Sequence, residues 1–189
     1  MAGLRFPTHG NATILGENAS LRKTEMLQDL YFLQEEMYVP HLTIEKFENS
    51  FAPFYPNFNH EQFYYYLSEF EMSSELGYMD KMSQGQKKKA LIAFALASNT
   101  RILIMDEPTN GLDIPSKSTF RKLMASIADE TRLVIISTHQ VRDLHSLIDM
   151  VSILDNGKIS RNNPHYQQNH GRNHCHRPKA PRLAPSLYI

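Results

Sequence analysis

The sequence predicts an α/β fold built around a buried parallel sheet, and three stretches carry that expectation. Between Arg101 and Asp113 the apolar run Ile102-Leu103-Ile104-Met105 leads directly into Asp106 and Glu107, followed by Pro-Thr-Asn-Gly-Leu-Asp. Val134–Ser137 is a second short apolar run, ending in Thr138-His139. Between the two, Phe120, Leu123, Met124 and Ile127 recur at the i, i+3, i+4, i+7 spacing of a helix. Strands of a parallel sheet are covered on both faces, so they read as continuous apolar runs. They deliver polar residues at their carboxyl ends, where α/β proteins bind ligands.

The other elements follow in chain order. Asn11–Gly16 reads as a short strand, and Glu25–Leu33 mixes helical and strand character and stays open between them. Pro40–Phe47 reads as a loop entering a helix with Thr43 as its cap, and Pro53–Asn59 as a turn-rich break. Asn59 opens a helix through Tyr64 to Glu75, with Gln62 placed to close a capping box. Its Phe63, Tyr64, Tyr65, Tyr66 and Phe70 would stack on bases only with basic residues interleaved. This stretch is acidic, so they read as the packed face of an amphipathic helix. Ser83 opens a further helix through about Ser98, and Val141, Leu144, Leu147 and Ile148 form another helical face. Val151–Ile159 is a hairpin, because Asn156-Gly157 supplies the two positive φ angles of a type I′ turn. From Arg161 onward Asn, His, Pro, Gln and Arg dominate and periodicity vanishes, which predicts a disordered tail over 161–189. His165, His170, His174, Cys175 and His176 in that tail match no defined zinc spacing and read as adventitious metal affinity.

Composition narrows the function classes. Twenty basic and twenty acidic residues cancel, giving no reason to expect nucleic acid or an anionic membrane as partner. A single cysteine, Cys175, excludes an internal disulfide and fits a reducing compartment. The longest apolar run, Ala90–Ala97, is far shorter than the ~20 residues that cross a bilayer. The N-terminus shows no apolar core of a signal peptide.

The acids divide a phosphoryl-transfer task between them. Asp106 suits a Mg²⁺ ligand, and Glu107 can orient and deprotonate an attacking water. His139, at the end of the next strand, can offer a neutral imidazole to a phosphate oxygen. In Ser83-Gln84-Gly85-Gln86, Ser83 and Gln86 are a capping pair, while Gly85 in a first turn is costly unless something must approach the backbone. A phosphate is a candidate, since helix N-termini bind anions. Lys87, Lys88 and Lys89 oppose the helix dipole, which a nearby anion would offset.

Met82-Ser83-Gln84-Gly85-Gln86, the Asp106–Asp113 segment and Ser137-Thr138-His139, in this order, resemble the nucleotide-binding domain of ABC transporters over roughly Gly3 to Ser160. The resemblance implies a P-loop NTPase-like ABC ATPase core with a helical subdomain. Residues 1–36 would be core up to the Q-loop, 37–98 the helical subdomain, 99–160 core again and 161–189 the tail. It further implies Asp106 as metal ligand, Glu107 as base, His139 as the H-loop switch and Asp113 facing the opposing subunit. Ser83, Gln84, Gly85 and Gln86 would be the signature, with Met82 where the pattern shows Leu, acting on ATP held by a partner. Gln34 and Glu35 fall at the Q-loop, with Glu35 in the Gln-equivalent position. ATP and Mg²⁺ are the implied cofactors. The implied partners are a second ABC ATPase domain, as homo- or heterodimer, and separate membrane-spanning subunits, with no nucleic acid. The implied place is cytoplasmic, at the inner face of the membrane, in a bacterial exporter type.

One departure matters. The sequence contains no G-x-x-x-x-G-K-[ST], and its only Gly-Lys, Gly157-Lys158, is followed by Ile159. The family places that loop just before a segment like Ala2–Thr8, so the resemblance implies an N-terminally truncated core that also lacks the strands around adenine. Two readings follow: an ATP-binding and ATP-hydrolysing transporter subunit that is inactive alone, or a catalytically inert half that lends its signature in trans to an intact partner.

Overall fold

A computed structural model describes residues 8–129, 131–140, 144, 150–155, 158–162 and 187–188. Their main feature is a six-stranded sheet in the spatial order β3(Leu30–Leu33), β4(Ile102–Asp106), β5(Leu133–Ser137), β8(Leu187–Tyr188), β6(Met150–Asp155), β7(Lys158–Asn162). Every neighbouring pair is parallel except the β6–β7 hairpin. The α/β expectation therefore holds. Asp155 pairs with Lys158, leaving two residues for the turn, as the Asn156-Gly157 signal requires; those two lie outside the described residues.

Ahead of the sheet, β1(Thr13–Ile14) and β2(Glu17–Asn18) form a small hairpin. Its turn residues Leu15 and Gly16 both have positive φ, at 52° and 83°, the type I′ geometry whose twist suits a two-residue hairpin. The ambiguous stretch proves to be both things: α1(Thr24–Gln28) is followed within two residues by β3. Thr43 caps α2(Ile44–Phe51) by accepting the Lys46 N–H at 3.3 Å.

Two expectations about α3(His60–Glu69) need correction. The helix stops at Glu69, short of Glu75. The Glu71 N–H reaches the Ser68 carbonyl and the Met72 N–H the Leu67 carbonyl, both at 2.9 Å, with Glu71 at φ 55°. That is a Schellman terminus sealed by contact between buried Leu67 and Met72, but with Glu where Gly is usual. The capping box is also only half formed. The Asn59 side chain accepts the Gln62 N–H at 2.9 Å, while the Gln62 Oε1 accepts from Asn99 and the Asn59 N–H is taken by the Ala97 carbonyl. Tertiary partners have displaced the local one.

The main core lies on one sheet face, where Leu33, Leu103, Met105, Val134 and Ile136 pack under α4(Gln84–Ala97) and α5(Ile114–Ser126). Phe63, Tyr66 and Leu67 form the buried face of α3 and its cap residue Phe70 is buried too, so three of the five aromatics expected on a packing face are there; Tyr64 and Tyr65 are exposed. Phe94 sits at the centre of the aromatic cluster, with ring centroids 4.8 Å from Phe58, 5.1 Å from Phe47 and 5.8 Å from Phe63. The opposite sheet face carries a smaller cluster of Ile14, Ala19, Met26, Leu30 and Ile102. At the far end of α4 the buried Arg132 guanidinium donates to the carbonyls of Ala95 and Leu96, satisfying orphan acceptors of the helix terminus.

Four residues of the predicted tail lie in strands. Arg161 and Asn162 continue β7, and Leu187–Tyr188 enters the sheet between β5 and β6. The remaining tail residues, including all five His and Cys considered above, lie outside the described residues, as does most of the predicted helical face at Val141–Ile148.

Candidate functional site

Asp106 closes β4 in register with Ser137 of β5, and the Ser137 hydroxyl donates to the Asp106 carboxylate. One residue on, Glu107 still pairs with β5 through its N–H to the Ser137 carbonyl at 2.9 Å, but its φ is 44°, left-handed. That turn swings its carboxylate over the end of β5. One oxygen accepts from the Thr138 hydroxyl at 3.0 Å, and the other from the His139 N–H at 2.8 Å with the His139 Nδ1 at 2.7 Å. The sheet thus brings Asp106, Glu107 and His139 together, as the sequence predicts.

Burial by itself pushes the Glu107 carboxyl up. The hydrogen bonds from the His139 ring, the His139 N–H and Thr138 outweigh it and hold the group below its ordinary value. Glu107 is therefore ionised at neutral pH and presented to an exposed imidazole. Such an arrangement can accept a proton and hold its acceptor in place.

The Ser83 segment lies at the head of α4, with Ser83 and Gln84 exposed. Both halves of the capping box form: Ser83 Oγ accepts the Gln86 N–H at 3.2 Å, and Gln86 Oε1 accepts the Ser83 N–H at 3.0 Å. A Cβ built on Gly85 would meet only the Gly111 carbonyl oxygen, at 3.4 Å, an ordinary contact. This chain's own packing gives no reason for glycine there. Asp113 caps α5 by accepting the Ser116 N–H at 2.8 Å and lies 3.7 Å from Lys89. Its carboxyl is held below the ordinary value, chiefly by the Ser116 hydrogen bonds.

The two positions expected at the Q-loop, Gln34 and Glu35, part company. Glu35 accepts from the Asn110 side chain at 2.8 Å, which ties it to the turn after the acids. Gln34 lies instead on the rim of an aromatic cleft lined by Tyr31, Phe47, Tyr55 and Phe94.

Sequence reasoning missed three members of this site. Lys88 is buried, and its ammonium donates to the Glu107 carbonyl at 2.9 Å. Burial lowers its pKa while Glu35, Glu107 and Asp106 oppose that shift. A signal existed: Leu91, Ile92 and Ala95, all buried, follow it at i+3, i+4 and i+7, so Lys88 lies on the inward stripe. Thr138 and Asn110 are the others, each legible only once the two turns are side by side.

The comparisons with known proteins agree with this geometry. Residues 1–110 match the family model described as ABC transporter, and the chain belongs to that family. It is 36% identical over 107 residues to the energy-coupling factor transporter ATP-binding protein EcfA2 of Mycoplasmoides gallisepticum, covering 54% of this chain and 33% of that one. Against the methionine import ATP-binding protein MetN of Carboxydothermus hydrogenoformans it is 37% identical over 83 residues, covering 43% and 25%. The chain thus spans a third or less of the length of these relatives. A solved ATP-binding subunit of an ABC transporter superposes with a TM-score of 0.76 at 23% identity, over 85% of this chain and 70% of the other, which establishes the ABC ATPase fold.

Proposed function

We propose that this chain acts as an ATP-handling subunit of an ABC transporter and presents the head of α4 to a nucleotide held by a second ABC ATPase domain. Separate membrane-spanning subunits would form the path for the transported molecule. Among the described residues no helix is long and apolar enough to cross a membrane, and a place at the cytoplasmic face follows from the family reading. The carrying observation is the acid pair at the end of a buried parallel strand, with Glu107 gripped by His139 from the next strand.

The donor chemistry fits Mg²⁺ in part. Asp106 and Glu107 are hard oxygen ligands, and among the described residues no three His, Cys, Asp or Glu converge into a complete cage. Mg²⁺ suits such a site, because it takes one or two carboxylates and completes its shell with phosphates and water. For a triphosphate gripped by this chain itself the fit is poor. Among the described residues the lysine buried beside the acids, Lys88, is committed to a backbone carbonyl. An exposed helix start with a sterically unneeded glycine suits a phosphate arriving on a partner. Ser83, Gln84, Gly85 and Gln86 therefore serve in trans, with Asp113 beside the same interface. The residues Asp106, Glu107 and His139 have the chemistry of a water-activating half, but in the mixed pair they face this chain's own site and not the nucleotide held by the partner.

Complementation tests this directly. An ABC ATPase with an intact phosphate loop but a disabled signature serine is mixed with this chain, and phosphate release is followed. Hydrolysis should appear only in the mixture, vanish with Ser83→Arg and persist with Asp106→Ala. No restoration by the unmodified chain, or equal loss with both variants, would refute the assignment in trans.

A further inference from the structure

We propose that Lys88 is a positioning residue: its hydrogen bond to the Glu107 carbonyl locks Glu107 in the left-handed backbone conformation that aims the carboxylate at Thr138 and His139. A non-glycine residue at positive φ is strained and persists only where its surroundings over-determine it. At Glu107 the determinants can be named. The N–H is fixed by the Ser137 carbonyl at 2.9 Å, and the carbonyl accepts twice, from the Asn110 N–H at 3.1 Å and from Lys88 Nζ at 2.9 Å. Asn110 belongs to the same turn and moves with it. Of the two donors to the carbonyl, only Lys88 reaches in from another element, and α4 is anchored by residues from Ala90 to Ala97 that are all buried.

Lys88 is 4% exposed, so its ammonium is partly desolvated where it holds this carbonyl. Such a desolvated charge is costly unless it is well paired; the carboxylates of Glu35, Glu107 and Asp106 around it offset part of that cost, and burial still lowers its pKa. The consequence reaches further. Lys88 sits a little over one turn from Ser83 on the same helix, so a ligand that pulls on the head of α4 also pulls on the backbone of Glu107. Only this consequence rests on reading Glu107 as the water-activating base; the positioning itself rests on geometry.

The test uses nuclear magnetic resonance on the full chain and needs no nucleotide. In the unmodified chain, a through-hydrogen-bond coupling between Lys88 ¹⁵Nζ and the Glu107 carbonyl carbon is expected. So are the strong intraresidue amide–Hα cross-peak of a positive φ at Glu107 and a low-field His139 amide. Lys88→Met keeps the stem and removes the donor. It should lose that cross-peak and move the His139 amide upfield, while the Leu103 and Val134 amides in the sheet stay in place. Lys88→Arg should restore both signals. The proposal is overturned if folded Lys88→Met keeps the Glu107 and His139 signals, or if Lys88→Arg loses them as Lys88→Met does. If Lys88→Met does not fold, the coupling in the unmodified chain decides alone, and its absence overturns the proposal. None of these outcomes depends on hydrolysis, so failure here is distinct from failure of the complementation.

Discussion

Replacing Gly85 by alanine separates what this chain needs from what a ligand needs. Gly85 is the second residue of α4 and is not among the glycines at positive φ, so alanine fits its backbone. The added Cβ would stand 3.4 Å from the Gly111 carbonyl oxygen and close to nothing else, so no atom has to move. Removing a helical glycine relieves about 0.5–1 kcal/mol, and a first-turn position belongs at the lower end of that range. For a chain of this size the gain corresponds to a rise of about 1–3 °C in the thermal midpoint. A methyl group there would stand between the helix start and any phosphate approaching it. Calorimetric melting should therefore show Gly85→Ala slightly more stable than the unmodified chain, while hydrolysis in the complementation mixture falls at least about tenfold, an interaction loss of about 1.4 kcal/mol. A destabilised variant would show that the Gly111 contact is already tight and that the glycine serves internal packing. A stabilised variant with unchanged hydrolysis would show that nothing comes close to Gly85 during turnover.

Two further substitutions probe the core and the acids. Phe94→Ala removes the ring shared by Phe47, Phe58 and Phe63, and should cost about 3–5 kcal/mol in urea unfolding. A loss under about 1 kcal/mol would mean that the cluster recloses around the gap. Glu107 is held below the ordinary 4.5 in the folded chain, so its ionised form contributes stability above that value, lost as pH falls through the folded pKa. The stability gap between the unmodified chain and Glu107→Gln, read by denaturant unfolding, should accordingly be wide at pH 7 and shrink below pH 4.5. A gap independent of pH would show that the His139 and Thr138 hydrogen bonds do not favour the carboxylate.

Much of this molecule is legible where local signals act alone. The apolar run into Asp106, the Ser83–Gln86 capping box and the Phe120–Ile127 stripe each state their structure within a dozen residues. The failures share a different cause. Asn59 and Gln62 form a capping pair by sequence, but Ala97 and Asn99 from the neighbouring helix end take half of it. The helix expected to reach Glu75 stops because Glu71 accepts a left-handed turn that its type disfavours, sealed by Leu67 against Met72. In the candidate site, Asp106, Glu107 and His139 were legible because adjacent parallel strands end side by side. The roles of Lys88, Asn110 and Thr138 depend on which turns meet across the site, and no spacing along one element encodes that.

The strand Leu187–Tyr188 has a bearing on how the chain is made. Ile135 and Ile136 of β5 pair with it on one side, and Met150 and Val151 of β6 on the other. The elements it joins are thus both translated before the element that joins them. Among the described residues, β5 on that side and the β6–β7 hairpin have only this strand to pair with, and an unpaired edge is where nascent chains meet the wrong neighbour. Order of synthesis and order of assembly run against each other here.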